Sequence, residues 1–253
     1  MQSATYENGV GKLFIVPTPI GNLEDITLRA LKTLRSVDYI LTERKGTTIK
    51  LLRHYKISNK LVTYREDNHR TVARRVVRDI GLGKQVALVS EAGTPLLADP
   101  GLRLVNELFS EFVFKKGISP ERVITVLPGA SAVLTALVGF PLSTFRFMFV
   151  GYLPRKANER VTWLEKLIES ARAIGSVVVA FESVHRLQET LRQLATLYKN
   201  GVRFRVGVAK ELTKMYETRR WGDPEGILKW IEDSKRPDII RGEFVLVLDP
   251  GEE

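Results

Sequence analysis

The sequence predicts an α/β protein built from two α/β domains, and three observations carry that reading. Short β-branched runs alternate with amphipathic helical stretches along most of the 253 residues, the pattern of strands joined by helical crossovers. Polar and turn-forming residues gather where strand-like runs end, as they do at the ligand edge of such a sheet. Toward the C-terminus three strand-like runs follow one another with short connections, which predicts antiparallel strands mixed into the second sheet.

In the first half the strand-like runs are 13–16, 38–41, 61–64, 86–90 and 123–127. Helical stretches lie between them at 25–37, 47–55, 70–82 and 102–112. In the first of these, Ile26, Ala30, Leu31 and Leu34 share one helix face, while Arg29, Lys32 and Arg35 lie opposite. The second half reads as strands 147–151, 177–181, 205–209, 217–221 and 244–248, with helices at 158–172, 184–198 and 224–232. A small-residue helix over 129–139 joins the halves, which predicts domains of 1–130 and 131–253.

Composition narrows the function classes. A hydrophobic fraction of 44% and a charged fraction of 27% are ordinary for a globular protein. No apolar run approaches the roughly 18 residues that cross a bilayer, and residues 1–11 lack the layout of a signal peptide, so a cytoplasmic protein with no membrane partner is expected. The chain has no Cys, which excludes disulfides, thiolate metal sites and a Cys nucleophile. His54, His69 and His185 are too scattered along the chain to suggest a metal centre.

Charge is more telling. Between Arg44 and Lys84 twelve basic residues face three acidic ones, so this window holds nine of the chain's net ten positive charges. A local field of that sign attracts a polyanion, nucleic acid being the usual one, and Arg44, Lys45, Arg70, Arg74, Arg75 and Arg78 are its candidate contacts. A basic face kept for solubility is the alternative.

The loops after the strands hold the unusual residues. After the first strand comes Pro17-Thr18-Pro19-Ile20-Gly21-Asn22, and after the second Glu43-Arg44-Lys45-Gly46-Thr47-Thr48. The fourth runs into Ser90-Glu91-Ala92-Gly93-Thr94-Pro95, the fifth into Pro128-Gly129-Ala130-Ser131-Ala132. Glycine lets backbone approach a ligand closely, and hydroxyls and free amides bond its polar atoms, although each turn alone also fits an ordinary strand-to-helix connection. Asp99 and Pro100 read as the cap and first residue of the helix that follows. The glycine fingerprint of nicotinamide-binding enzymes is missing, as is the phosphate loop of nucleoside triphosphatases.

Taken in order, these blocks resemble the RsmI-type methyltransferases of the tetrapyrrole-methylase (class III) superfamily of S-adenosylmethionine enzymes. The resemblance starts with Leu13-Phe14-Ile15-Val16-Pro17-Thr18-Pro19-Ile20-Gly21-Asn22-Leu23 and continues through the loops above. It adds Gly151-Tyr152-Leu153-Pro154-Arg155-Lys156, Phe181-Glu182-Ser183-Val184-His185-Arg186, Lys210-Glu211-Leu212-Thr213-Lys214 and Arg241-Gly242-Glu243, covering nearly the whole chain. It implies two α/β domains with S-adenosylmethionine in the cleft between them, a homodimer, and 2′-O-methylation of a cytidine ribose in the decoding region of 16S ribosomal RNA within the small ribosomal subunit. Carried onto matching positions, the donor would lie against Ile20, Gly93, Thr94, Pro95, Leu97, Ser131 and Ala132, with Phe181, Ala209 and Lys210 closing over it. No metal is implied.

The donor's sulfonium already activates its methyl group, so the protein must align an oxygen and exclude water. A ribose hydroxyl is a poor nucleophile near neutrality and gains from a general base or a cation at the alkoxide. Glu43 is the candidate base; Lys210, Lys214 and Arg186 are candidate cations, each also readable as an ion-pair or RNA-backbone residue. His185 reads as a helix-start residue. The loop at 43–48 departs from the family pattern of acidic-Asp-Thr-Arg-His-Thr, making this mouth more positive and leaving the target nucleotide open. A small-molecule methylase of the same fold and a non-catalytic RNA-binding relative stay as rivals.

Overall fold

The computed structural model describes residues 9–233 and 241–251. The chain forms two compact units, Met1–Ser131 and Ala132–Glu253.

The first unit is a three-layer α/β domain. Its strands are β1 (Lys12–Ile15), β2 (Tyr39–Thr42), β3 (Leu61–Thr63), β4 (Gln85–Val89) and β5 (Ile124–Val126). They pair in the order β3-β2-β4-β1-β5, and every pairing is parallel. Alternate residues of a strand face opposite ways. Leu13, Ile15, Tyr39, Leu41, Val86 and Leu88 accordingly enter one core, while Ile40, Ala87 and Val89 enter another. Helices α3 (His69–Gly81) and α4 (Leu102–Leu108) fill the first core, and α1 (Leu28–Ser36) and α2 (Lys45–His54) the second.

The helix boundaries show where side chains override a periodicity reading. The stretch 25–37 divides into a short 3-10 turn, Leu23–Asp25, and α1, because the Thr27 side chain accepts from the Ala30 amide and starts the α-helix there. The stretch 102–112 ends as an α-helix at Leu108 and continues as a π-helical turn, Phe109–Phe114, which keeps Phe112 buried. A further short helix, α5 (Pro120–Val123), leads into β5.

The second unit opens with α6 (Ala132–Leu137), shorter than the 129–139 helix expected from small residues. Its strands are β6 (Phe147–Tyr152), β7 (Val177–Glu182), β8 (Arg205–Lys210), β9 (Thr218–Gly222) and β10 (Phe244–Asp249), in the order β6-β7-β10-β8-β9. β10 runs antiparallel to both neighbours and β9 antiparallel to β8, so the sheet is mixed. Helices α7 (Ala157–Ala173), α8 (Val184–Lys199) and α9 (Pro224–Glu232) cover one face through Leu164, Ile168, Leu191, Leu194, Ile227 and Ile231. α6 lies against β7 and β10. The carboxyl ends of β6, β7 and β8 point the same way and share one edge of this sheet.

Candidate functional site

At the carboxyl edge of the first sheet three loops are fastened to one another. Thr18, after β1, and Gly93, after β4, exchange both backbone hydrogen bonds at 2.9 Å, a two-residue bridge that extends the pairing past the strands. The Ser90 hydroxyl donates to the Gly93 carbonyl at 2.9 Å. The Thr94 hydroxyl donates to the Ala130 carbonyl at 3.0 Å, which ties in the loop after β5.

Glycine is needed in this arrangement for two separate reasons. Gly93 sits at φ +79°, and a Cβ there would lie 3.1 Å from Ile20 Cγ2. At Gly129 a Cβ would come within 2.5 Å of the Pro17 side chain, closer than carbon atoms approach. Leu96 and Ala98 are held at φ +75° and +62°, a left-handed backbone that non-glycine residues adopt only when their surroundings enforce it. Between them stands exposed Leu97, whereas Ser131 is buried. The amides of Leu96 and Ala130 donate to nothing among the described residues. The loops therefore form a close-packed cradle with unused backbone donors.

Acidic residues lie beside this cradle. The sequence predicts Asp99 as the cap of the helix after β4; instead α4 begins at Leu102, and Gly101 at φ +138° occupies the cap position. A Cβ on Gly101 would meet Leu96 and Leu88 at 2.7 and 2.9 Å, so packing against those leucines sets the turn that displaces Asp99 from the cap. Burial, then the nearby charges of Glu43 and Glu91, push the Asp99 carboxyl up to about 6. Arg44 Nε lies 2.6 Å from Glu91 Oε1, an ion pair whose angles fall short of a hydrogen bond. Glu43 is half-buried at the end of β2, and its carbonyl accepts from Arg65 Nε at 3.1 Å. The hydroxyls of Thr42 and Thr48, 2.6 Å apart, pin the turn that carries Glu43 and Arg44.

The candidate RNA residues divide into two kinds. Arg70, Arg74 and Arg78 follow one another at four-residue spacing on the exposed side of α3, and Lys45 is exposed at the start of α2. Arg75 is engaged: its Nε is 3.5 Å from buried Asp79, and its guanidinium lies over the Tyr39 ring. Lys84 also reaches Asp79, at 3.1 Å, and the Tyr39 hydroxyl donates to it at 3.0 Å. These partners hold the Asp79 carboxyl below its ordinary value against the opposing effect of burial. Arg78 is 3.7 Å from Asp79 while its side chain stays largely solvated.

At the carboxyl edge of the second sheet the expected cations turn out to be building material. Glu182, only 2% exposed, accepts from Arg186 Nε at 2.9 Å and Nη2 at 2.7 Å, from the Thr190 hydroxyl at 2.7 Å and from the Ser183 amide at 2.6 Å. Arg186 is thereby committed to the β7–α8 turn. Lys214 donates to Glu211 at 2.8 Å and to Glu243 at 2.9 Å, and these carboxylates raise its pKa against the opposing effect of burial. Lys210 is buried at the end of β8, next to buried Ala209. Phe181 packs edge-on between Phe149 and Tyr152. His185 is exposed in the first turn of α8, which Ser183 caps.

Two polar centres escape a reading of the sequence. Arg160 is wholly buried, donating to Gln193, Glu189 and the carbonyls of Pro154 and Arg155. A signal for it exists: Arg160 shares the helical stripe of Leu164, Ile168 and Ala171, where a charge must have partners. His69 is buried between the Tyr64 hydroxyl at 2.8 Å and Glu107 at 2.9 Å, joining α3 to α4. Nothing in its local spacing announces Glu107, which is 38 residues away.

Comparisons with known proteins agree with this architecture. The model of the tetrapyrrole (corrin/porphyrin) methylases matches residues 12–222. A protein of Halalkalibacterium halodurans named ribosomal RNA small subunit methyltransferase I is 37% identical over 98% of this chain and 79% of its own length. One of the same name from Hydrogenobaculum sp. is 40% identical over 94% of this chain and 95% of its own. Among solved structures, the uroporphyrin-III C-methyltransferase of Thermus thermophilus complexed with S-adenyl homocysteine superposes with a TM-score of 0.57. It covers 94% of this chain and 97% of that one at 18% identity, a likeness of fold. The matched model spans both sheets up to the end of β9, and the chain belongs to the tetrapyrrole (corrin/porphyrin) methylase family.

Proposed function

We propose that the chain transfers the methyl group of S-adenosylmethionine to the 2′-oxygen of a cytidine ribose in the decoding region of 16S ribosomal RNA, acting in the cytoplasm as a homodimer on the small ribosomal subunit. The observation that carries the donor half is the cradle made by the loops after β1, β4 and β5. Its glycines admit a close ligand, and the amides of Leu96 and Ala130 are unused donors for one. Near full-length likeness to relatives named ribosomal RNA small subunit methyltransferase I supports the RNA half, as does the exposed Arg70, Arg74 and Arg78 stripe.

When bound, the donor supplies a methyl group already activated by its sulfonium. What falls to the protein is positioning and proton handling. In this reading Ile20, Gly93, Thr94, Pro95, Leu97, Ser131 and Ala132 line the donor, with Phe181, Ala209 and Lys210 contributing from the second unit. Thr94 acts by holding Ala130, since its hydroxyl is already donated there. Glu43 is the proton acceptor for the ribose hydroxyl. Asp99, whose carboxyl is raised to about 6 by burial and by the charges of Glu43 and Glu91, is its electrostatic neighbour. Lys210 is the candidate cation; Arg186 and Lys214 build the edge around it. Lys45, Arg70, Arg74 and Arg78 hold RNA phosphates, Arg75 is shared with Asp79, and Arg44 is shared with Glu91.

The test is calorimetric binding of S-adenosylmethionine, followed by transfer of labelled methyl to small subunits from cells lacking the protein. Mapping 2′-O-methyl marks then identifies the nucleotide. Absence of donor binding refutes the enzyme reading, and transfer to a corrinoid but not to RNA moves the substrate to the small-molecule branch.

A further inference from the structure

The loop joining β8 to β9, residues 211–217, is tied down at many points for its length. Glu211 receives the Glu243 amide on its side chain at 2.9 Å and donates its own amide to the Glu243 carbonyl at 3.0 Å. The Lys214 ammonium clasps both carboxylates. The Thr213 amide donates to Glu217 Oε2 at 2.7 Å, the Lys214 amide to the Glu211 carbonyl at 3.0 Å, and the Glu217 amide to the Lys214 carbonyl at 3.1 Å. Leu212 is buried beneath the loop. Glu211 and Thr213 take left-handed backbone conformations at φ +50° and +64°. Gly242 admits the clasp because a Cβ there would lie 2.6 Å from Glu211.

This rigid support presents apolar side chains to water. Met215 is 88% exposed and Tyr216 64%. Neither the ring nor the hydroxyl of Tyr216 has a partner among the described residues. A tightly held loop that displays an unpartnered aromatic ring has the form of a contact surface.

The position of the loop indicates what it contacts. Thr218 pairs in register with Lys210, and Tyr216 precedes Thr218 by two residues. The ring therefore starts within about 7 Å of the end of β8 along the strand direction. That end carries Ala209 and Lys210, the second unit's contribution to the donor in the proposed function. A nucleotide that brings its ribose to the donor places its own base, or the next one, at that range. Lys210, Lys214, Arg219 and Arg220 still outnumber Glu211, Glu217 and the clasping Glu243 by one, so phosphates are not repelled from this segment. Proteins that read RNA act chiefly on unpaired bases stacked on aromatic side chains.

We propose that Tyr216, with Met215 beside it, is a stacking platform for an unpaired RNA base at or next to the methylated nucleotide, held in place by the Glu211–Lys214–Glu243 clasp. The inference rests on the RNA reading above and adds the residue that orients the substrate.

The experiment measures methyl transfer to small ribosomal subunits from cells lacking the protein, for the wild type and for Tyr216→Ala, Tyr216→Leu and Tyr216→Trp. Loss of one stacked base predicts that KM for the subunit rises at least about fivefold in the Ala and Leu variants, while Trp stays near the wild type. Calorimetric affinity for S-adenosylmethionine stays unchanged in all three. Unchanged KM in the Ala variant overturns the proposal. So does a Leu variant as good as Trp, which marks an apolar contact with a protein surface, and so does loss of donor affinity, which marks a donor-pocket residue. A wild-type protein that binds donor but methylates no RNA overturns the function itself, an outcome distinct from these.

Discussion

The carboxyl edges of the two sheets are organised by different physics. In the first unit the edge is backbone work: Thr18 and Gly93 pair main chain to main chain, Thr94 ties in Ala130, and glycines permit the close approach of Pro17 and Ile20. In the second unit it is charge work: Glu182 gathers Arg186 and Thr190, Lys214 joins Glu211 to Glu243, and buried Arg160 holds the chain after β6. The charge balance follows the same division. Met1–Ser131 holds twenty basic and thirteen acidic residues, with part of the surplus exposed on α3, whereas Ala132–Glu253 holds nineteen and sixteen, and both units carry ion pairs. A lysine or arginine in a motif is therefore poor evidence of a free cation unless its counter-charges are known.

Four changes would break or sharpen this contrast. The largest effect belongs to Glu182→Ala, which leaves the Arg186 guanidinium and the Thr190 hydroxyl without their acceptor in a buried turn. Urea unfolding should show a loss of about 3–5 kcal/mol. A loss under about 1 kcal/mol would mean that the turn is held by packing instead.

Gly129→Ala attacks the other edge, where the new Cβ must displace Pro17. A destabilisation of about 1–3 kcal/mol is expected from overpacking. Weaker donor binding should accompany it, since the cradle moves; unchanged calorimetric affinity would detach that loop from the donor.

Asp99→Asn has the opposite sign. Because the folded carboxyl is raised to about 6 from an ordinary 3.8, the folded state holds its proton longer than the unfolded state does. Its charge therefore costs nothing at low pH, costs progressively more as pH rises from about 4 to about 6, and costs a constant amount above that. The variant should be more stable than the wild type by about 1 kcal/mol at pH 8, after discounting for solvent around the carboxyl, and equal to it near pH 3. Thermal denaturation at the two pH values checks this. If Asp99 also shares proton handling with Glu43, the same variant shifts the acid limb of the rate profile.

Replacing Arg70, Arg74 and Arg78 by Gln should change stability least, within about 0.5 kcal/mol, because the three project from the exposed side of α3. Its effect lies in RNA binding, where the slope of log affinity against log salt should flatten by about one for each phosphate that is no longer neutralised. An unaltered slope would reduce the stripe to a solubility device.

Particular residues show how far pattern reading reaches. Short β-branched runs placed every strand of both sheets, because strands buried inside an α/β sheet read as near-continuous apolar stretches. The mixed second sheet could be anticipated from its short connections. Arg160 was readable in principle from its place on an apolar stripe. The start of α4 was not readable: Asp99 and Pro100 have the local chemistry of a helix start, and only the packing of Gly101 against Leu88 and Leu96 moves the helix on to Leu102. Nor was the neighbourhood of Asp99 and Glu43, since charges 56 residues apart meet only when β2 and β4 lie side by side.

Periodicity, composition and turn chemistry are local quantities, and they suffice for the α/β class, the order of the strands along the chain and the basic window. The burial of Glu182 under Arg186, the reach of Lys214 to Glu243, the exposure of Tyr216 and the raised Asp99 carboxyl are of another kind. Each depends on the dielectric and the charges that distant segments bring to one point, and a charge takes its meaning from those neighbours. Tertiary structure alone decides which of this chain's many cations and carboxylates are free to act.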